Sequence, residues 1–305
     1  MPAPPPAAIS LLEHQHALIT RPQLGALEDG LALLRRMLRN GTWMRLDAGL
    51  YGPAGVPMTW PRRLMAAVLL APTGSLASHR AGAHLTGVGG FDPVPAPEIS
   101  IPAGATFRRA DVIVHESTDL ELAAPCRIDG IPCTGPTRIA MDLGCVISEK
   151  RYRQTVRELR HEHGVTSDAL LRTFLRHKRR GRNGGGALRD WLDRYFEVDG
   201  VPESGLEQLV LDAILDACLP APLAQHWVHA AGASYRLDLA YPERRICVEV
   251  DGVQHRDDVD VREGDVVRQR VLEEAGWTVI RIRSWCFASD LAAALRQLRG
   301  HLVDR

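Results

Sequence analysis

Lysine is almost absent from this 305-residue chain: among 37 basic residues only Lys150 and Lys178 are lysines. No scheme that needs a lysine beyond residue 178 can apply. Net charge is absent as well, since 37 acidic residues balance the basic ones. Whole-chain charge therefore gives no sign of a nucleic-acid partner, and any such partner needs a locally basic face. The six cysteines (Cys126, Cys133, Cys145, Cys218, Cys247 and Cys286) show no CxxC spacing and lie mostly in apolar runs. They read as buried free thiols in a reducing compartment, which excludes a disulfide frame or a zinc site. No apolar run approaches membrane-spanning length. The opening "MPAPPPAAIS" lacks the basic and apolar regions of a secretory signal. A soluble, cytoplasmic protein without membrane association is expected. Length and a 45% hydrophobic content allow two or three domains with real cores.

After a short proline-rich lead, expected to be disordered, residues 9–52 read as a small helical unit closed by a hairpin. Thr20 can cap a helix whose first turn holds Pro22, where a missing N–H costs little. Leu31, Leu34, Met37 and Leu38 fall at helical spacing, and "NG" at 40–41 supplies a stop. Arg35, Arg36 and Arg39 lie away from that stripe. "TWMRLDAGLYG" reads as two short strands around a turn at Asp47 to Gly49. Helix, helix, helix, wing is the order of a winged helix-turn-helix, which would set the three arginines against DNA. A generic three-helix module with a solvated basic face fits the same pattern.

The middle of the chain is mixed. "RRLMAAVLLA" and "LASHRAGAHLTG" read as helices; "PEISIPA", "ADVIVHES" and "CRIDGIPCT" read as strands; "PTRIAMDLG" and residues 149–163 and 166–176 return to helical periodicity. There is no internal repeat. Ser78, His79, His84 and Asp142 supply triad chemistry, but no nucleophile elbow joins them, and the histidines read as locally hydrogen-bonded. "HKRRGRNGGGA" (177–187) reads as a flexible basic tether.

Residues 203–302 read as helix, strand, strand, helix, strand, helix. Leu206, Leu209, Val210, Ala213, Ile214 and Ala217 form the apolar face of the first helix. "YRLDLAY" alternates with period two, and "ICVEV" places Cys247, Glu249 and Asp251 on one face. A turn centred on Glu243 and Arg244 would set Asp238 directly opposite Glu249, with Cβ atoms roughly 5 Å apart. Converging carboxylates repel one another and need protons, arginines or a cation beside them. Oxygen-only ligands suit Mg2+ or Mn2+, and such an ion can generate a nucleophile for phosphodiester hydrolysis. The alternative is a solvated acidic face paired with Arg236, Arg244 and Arg281. His255 follows Gly252, and its near-neutral pKa would suit a general base or acid. Glu207 completes a Ser204-x-x-Glu207 capping box and can also point at the sheet. Arg262, Asp265 and Arg268 share a helix face, which could meet a DNA backbone or pair internally.

"YRLDLAY … ICVEVDGVQH … DVVRQRVLEEAGWTVIRIR" resembles the very-short-patch-repair (Vsr)-like endonuclease domain of the PD-(D/E)xK nuclease superfamily. That resemblance implies a DNA endonuclease of repair or phage defence using Mg2+ or Mn2+. It implies a metal site at Asp238 and Glu249 with Glu207 assisting, and Asp251 and His255 in or beside the active centre. Asp251 stands where many superfamily members carry lysine, as Vsr-like members also lack it. His255 is then the candidate for orienting water, with Arg268 as electrostatic helper and Arg262 toward DNA. "HQHALITRPQLGAL … RRMLRNGTWMRLDAGLYG", with Gly49 and Tyr51, resembles the winged-helix domain of AbiEi-type antitoxins, and "RIDGIPCTGPTRIAMDLG" the segment after it. This second resemblance implies DNA binding by Arg35, Arg36 and Arg39, admits a toxin partner, and leaves oligomeric state open. The expected architecture is α+β and multidomain. It comprises a winged helix-turn-helix (1–60), a mixed α/β middle domain (61–176), a linker and helix (177–200), and a PD-(D/E)xK, restriction-endonuclease-like α/β/α domain (201–305). The competing reading is an antitoxin-like regulator whose nuclease fold is inactive.

Overall fold

The computed structural model describes residues 4–91, 96–177, 184–198, 203–252 and 259–303. The chain forms two compact units, Met1–Val165 with Arg176–Gly185, and Thr166–Leu175 with Gly186–Arg305.

The first unit opens with α1 (Pro6–His14), β1 (Ile19–Thr20), α2 (Arg21–Gly25), α3 (Gly30–Arg39), β2 (Trp43–Asp47) and β3 (Leu50–Pro53). The proline-rich lead is helical from Pro6, where proline sits harmlessly in the first turn, and Ala8 is buried. Thr20 and Gln23 form a reciprocal capping box at the start of α2. Strands β1, β3 and β2 make a small antiparallel sheet, one strand more than the hairpin expected. On α3 the inward residues are Leu33, Leu34 and Met37, packed with Ile19, Leu24, Trp43 and Tyr51. Leu31 and Leu38, expected on the apolar stripe, are exposed. Gly30 sets this rotation: a Cβ there would lie 2.0 Å from the Leu24 carbonyl oxygen. Arg35 and Arg39 are exposed on α3 and Arg36 is half-buried.

The rest of this unit holds α4 (Trp60–Leu70), β4 (Leu76–Ala77), α5 (His79–Thr86), β5 (Glu98–Pro102), β6 (Ile113–Ser117), β7 (Cys126–Ile128), β8 (Ile131–Cys133), α6 (Pro136–Leu143) and α7 (Glu149–Glu162). The strands form one sheet in the order β6-β5-β4-β8-β7. A buried guanidinium ties its elements together. Arg138 pairs with Asp142 at 2.8 Å and Asp119 at 3.3 Å, and donates to Ser117 Oγ at 3.1 Å. His177 was expected within a flexible tether; it ends α8 (Ser167–His177), is buried, and holds Asp119 Oδ2 at 2.9 Å. Residues 178–183 of that tether lie outside the described residues. The cysteines are less uniformly buried than expected, since Cys145 and Cys218 are exposed.

The second unit contains α9 (Gly185–Val198), α10 (Glu203–Asp216), β9 (Leu223–Ala230), β10 (Ala233–Tyr241), β11 (Ile246–Asp251), α11 (Val259–Glu274), β12 (Thr278–Arg283) and α12 (Phe287–Leu302). Its sheet runs β12-β11-β10-β9, with β11 and β12 parallel and the other neighbours antiparallel. A parallel pair needs a crossover, and α11 supplies it. All six residues of β11 are buried, as are Leu206, Val210, Ala213 and Ile214 of α10. Strand β9 was not anticipated. It joins β10 through Ala231 and Gly232, both at positive φ (50° and 78°), the conformation of the tightest hairpin turns. No described helix is long and apolar enough to cross a membrane.

Candidate active site

The loop between β10 and β11 decides which acids meet. Tyr241 pairs with Ile246 and Leu239 with Val248, so the loop closes over Pro242 to Arg245, with Arg245 at φ 51°. This is the register the sequence predicts, and its next step would set Asp238 opposite Glu249. The ladder ends before that step. The Val250 N–H donates instead to Asp238 Oδ2 at 2.9 Å. Arg268 of α11 enters the fork so formed, donating to the Arg236 carbonyl and to Glu249 Oε2 at 2.8 Å. The forked strands open onto a cavity of about 400 Å3 lined by Glu207, Asp238, Glu249, Asp251, Arg268 and Arg281, with Trp227 and Arg236 at its side.

Each acid has a different environment. Glu249 is 6% exposed; burial pushes its carboxyl up to about 8, only partly opposed by the Arg268 cation. Its Oε1 is buried with no hydrogen-bond partner among the described residues. Burial also raises the Asp238 carboxyl, against the hydrogen bond from Val250. Asp251 is held through both oxygens by Arg281 Nη1, at 3.1 and 3.0 Å. Arg281 is fixed in turn by Gln269 Oε1 at 3.1 Å and by Asp265, 4.0 Å away. Glu207 accepts a hydrogen bond from Gln225 Nε2 at 3.0 Å. An orphaned buried carboxylate oxygen facing a cavity shared with two further carboxylates is the oxygen chemistry that Mg2+ or Mn2+ takes, although these three acids are not among the described groups whose ligand atoms lie within 4.8 Å of one another. Glu249, Asp238 and Glu207 are the residues that could hold such an ion.

Several expectations are corrected here. Of the three arginines expected to pair with the acids, only Arg281 does so among the described residues; the partner of Glu249 is Arg268. Asp265 and Arg268 line the carboxylate cavity, where Arg268 pairs with Glu249 and Asp265 lies 4.0 Å from Arg281. Asp251, expected in or beside the active centre, lines the cavity with both oxygens on Arg281. His255, the side chain of Arg262 and the side chain of the expected capping residue Ser204 lie outside the described residues. Gln225 and Trp227 were missed with their strand; the signal was "AAGAS", a glycine turn between two apolar-polar alternations.

A second titratable cluster lies in the first unit. His79, Glu98 and His115 bring ligand atoms within 4.8 Å of one another. His79 Nδ1 is 2.9 Å from Ser78 Oγ, and its ring stacks on His115 at 3.6 Å and 17°. Glu98 is bound by Arg80 at 3.1 Å and by His115 Nε2 at 2.8 Å. Stacked imidazoles cannot both present an in-plane lone pair to one ion, and Glu98 is already engaged. The cluster is a satisfied polar network. Asp142 pairs with Arg138, so Ser78, His79 and Asp142 do not assemble as a triad.

Comparison with known proteins bears on the second unit. The restriction-endonuclease-like family model REase_MTES_1575 matches residues 224–302, so the C-terminal part of the chain is nuclease-like. The chain is 26% identical over 176 residues to the uncharacterized proteins MT2308 and Rv2248 of Mycobacterium tuberculosis (strains CDC 1551 / Oshkosh and H37Rv). That match covers 56% of this chain and 60% of each relative. The crystal structure of the RV2827C protein from Mycobacterium tuberculosis aligns over 74% of this chain and 88% of its own, at 14% identity and a TM-score of 0.39. A likeness that loose carries no weight for fold or function.

Proposed function

We propose that the second unit is a divalent-metal-dependent endonuclease that hydrolyses phosphodiester bonds in DNA. The observation that carries this reading is Glu249 Oε1, a buried carboxylate oxygen without a partner, facing a cavity it shares with Asp238 and Glu207. Asp238 and Glu249 would hold the ion, with Glu207 assisting. Bound there, Mg2+ or Mn2+ would polarise a phosphoryl oxygen and lower the pKa of an attacking water. Arg268 and Arg281 keep the acids compatible with folding and offer positive charge to the phosphate that enters. Arginine stays protonated, so neither can be the general base. That role falls to His255, four residues beyond Asp251. Purified protein should nick supercoiled plasmid in Mg2+ or Mn2+, and Glu249→Ala should abolish nicking. Wild-type protein inert on every DNA form in both metals would refute the reading.

A second reading has its own support. Arg35 and Arg39 are exposed on α3, directly ahead of the β2–β3 hairpin, in the order of a winged helix. On this reading the first unit is an antitoxin-like DNA-binding regulator, and the arginine-paired acids of the second unit are inactive. It requires sequence-specific binding that Arg35→Glu with Arg39→Glu abolishes and Asp238→Ala leaves intact. Binding that survives the charge reversal would sink it.

A further inference from the structure

Strand β9 places a large apolar side chain where folding gives it no use. Trp227 is 63% exposed, although it lines the side of the carboxylate cavity. It stands on the edge strand of the sheet, directly across from Arg236 of β10. Cross-strand partners share a face, and Asp238 lies two residues beyond Arg236 on β10. A flat aromatic face, an exposed guanidinium and the candidate metal carboxylates thus follow one another along a single face. The Arg236 side chain is exposed, with its charge acting through space on Asp238, and it faces solvent where a phosphate could reach it.

The ligand that matches is a nucleotide whose base is unstacked. Aromatic side chains bind bases through their π-faces, and a neighbouring guanidinium can take the phosphate. A base inside a duplex is covered on both faces and has none to offer until it is extruded. We propose that Trp227 stacks an unpaired base beside the scissile phosphate while Arg236 holds the adjoining phosphate. The substrate class is then single-stranded or locally unpaired DNA. This rests on the nuclease reading above and narrows it from DNA in general to DNA with an exposed base.

The test is a binding measurement on the full chain in EDTA, where turnover does not contribute. Fluorescence anisotropy would compare a labelled single-stranded oligonucleotide with a blunt duplex of the same sequence. Wild-type protein should prefer the single strand. Trp227→Ala should weaken single-strand binding by about 5- to 150-fold, the range of one lost base stack, and leave duplex binding unchanged. Trp227→Phe should recover most of the loss, and Arg236→Ala should weaken both forms and flatten the salt dependence. Circular dichroism would confirm that the variants fold, as expected for an exposed edge-strand position. Trp227→Ala binding both forms like wild type, or losing both equally, would overturn the proposal and leave the nuclease reading standing. Wild-type protein that binds neither oligonucleotide, in EDTA or with non-catalytic Ca2+ in its place, would overturn the stacking proposal and leave the nuclease reading to the nicking assay.

Discussion

Replacing Glu249 by glutamine should make the second unit more stable in the absence of metal. Two terms oppose each other. The wild-type carboxylate is almost fully buried and leaves Oε1 without a partner, a desolvation penalty of about 1–3 kcal/mol. Against this stands the bond to Arg268, whose side chain is 31% exposed. Solvent screening limits such a pair to about 0–1 kcal/mol, and the amide oxygen of glutamine can keep that hydrogen bond. The amide NH2 takes the unpartnered position of Oε1, so what the exchange removes is the buried charge, and at a pH where the wild-type group is ionised Glu249→Gln should gain about 1–2 kcal/mol. Urea unfolding in EDTA, at a pH above the Glu249 value of about 8, keeps the wild-type group charged. Hydrogen exchange of β11 peptides would read the second unit apart from the first. Adding Mg2+ should then stabilise wild-type protein by mass action and leave the variant unmoved. A variant less stable than wild type in EDTA, or one that gains as much from Mg2+, would refute the reasoning.

In the first unit, burial holds the His79 imidazole down at about 4 from an ordinary 6.5. The unfolded chain therefore takes up its proton first as pH falls, and stability should decline by about 3 kcal/mol across that window; His79→Gln should flatten the decline in acid-unfolding curves. Burial alone would raise Glu98, but bonds from His115 and Arg80 outweigh it and hold the carboxyl at about 2. Its contribution is present above pH 4.5 and should be lost as pH falls toward 2, a second acid step that His79→Gln should reduce but not remove, since His115 and Arg80 still hold the carboxyl. Arg138→Met removes the buried guanidinium that neutralises Asp119 and Asp142 and should cost about 3–5 kcal/mol in urea unfolding; a loss below 1 kcal/mol would show that their other partners and water suffice.

Strand alternation and a short connection make the meeting of Asp238 with Glu249 legible in the sequence, because both are local properties of the chain. The fork between β10 and β11 is not legible. It depends on Arg268, 19 residues beyond Glu249, and three-residue spacing shows which side chains share a helix face but not where that face looks. Strand β9 escapes for a different reason: Gln225 sits at φ 53° and breaks the alternation that would announce a strand. With β9 go Gln225 and Trp227, both beside the candidate site. Leu31 and Leu38 mislead because helical spacing admits neighbouring stripes, and only the close approach of Gly30 to Leu24 selects one. His177 reads as tether from its basic, glycine-rich neighbours, whereas its partner Asp119 lies 58 residues earlier.

The guanidinium groups of Arg268 and Arg281 have a consequence for supply and demand inside a cell. Both stay protonated beside Glu249 and Asp251 with no cation present, so the second unit should fold without one. If the site works through Mg2+ as proposed above, a fall in the free ion would silence it while leaving the amount of folded protein nearly unchanged. Activity would return as soon as the ion did, with no new synthesis and no refolding.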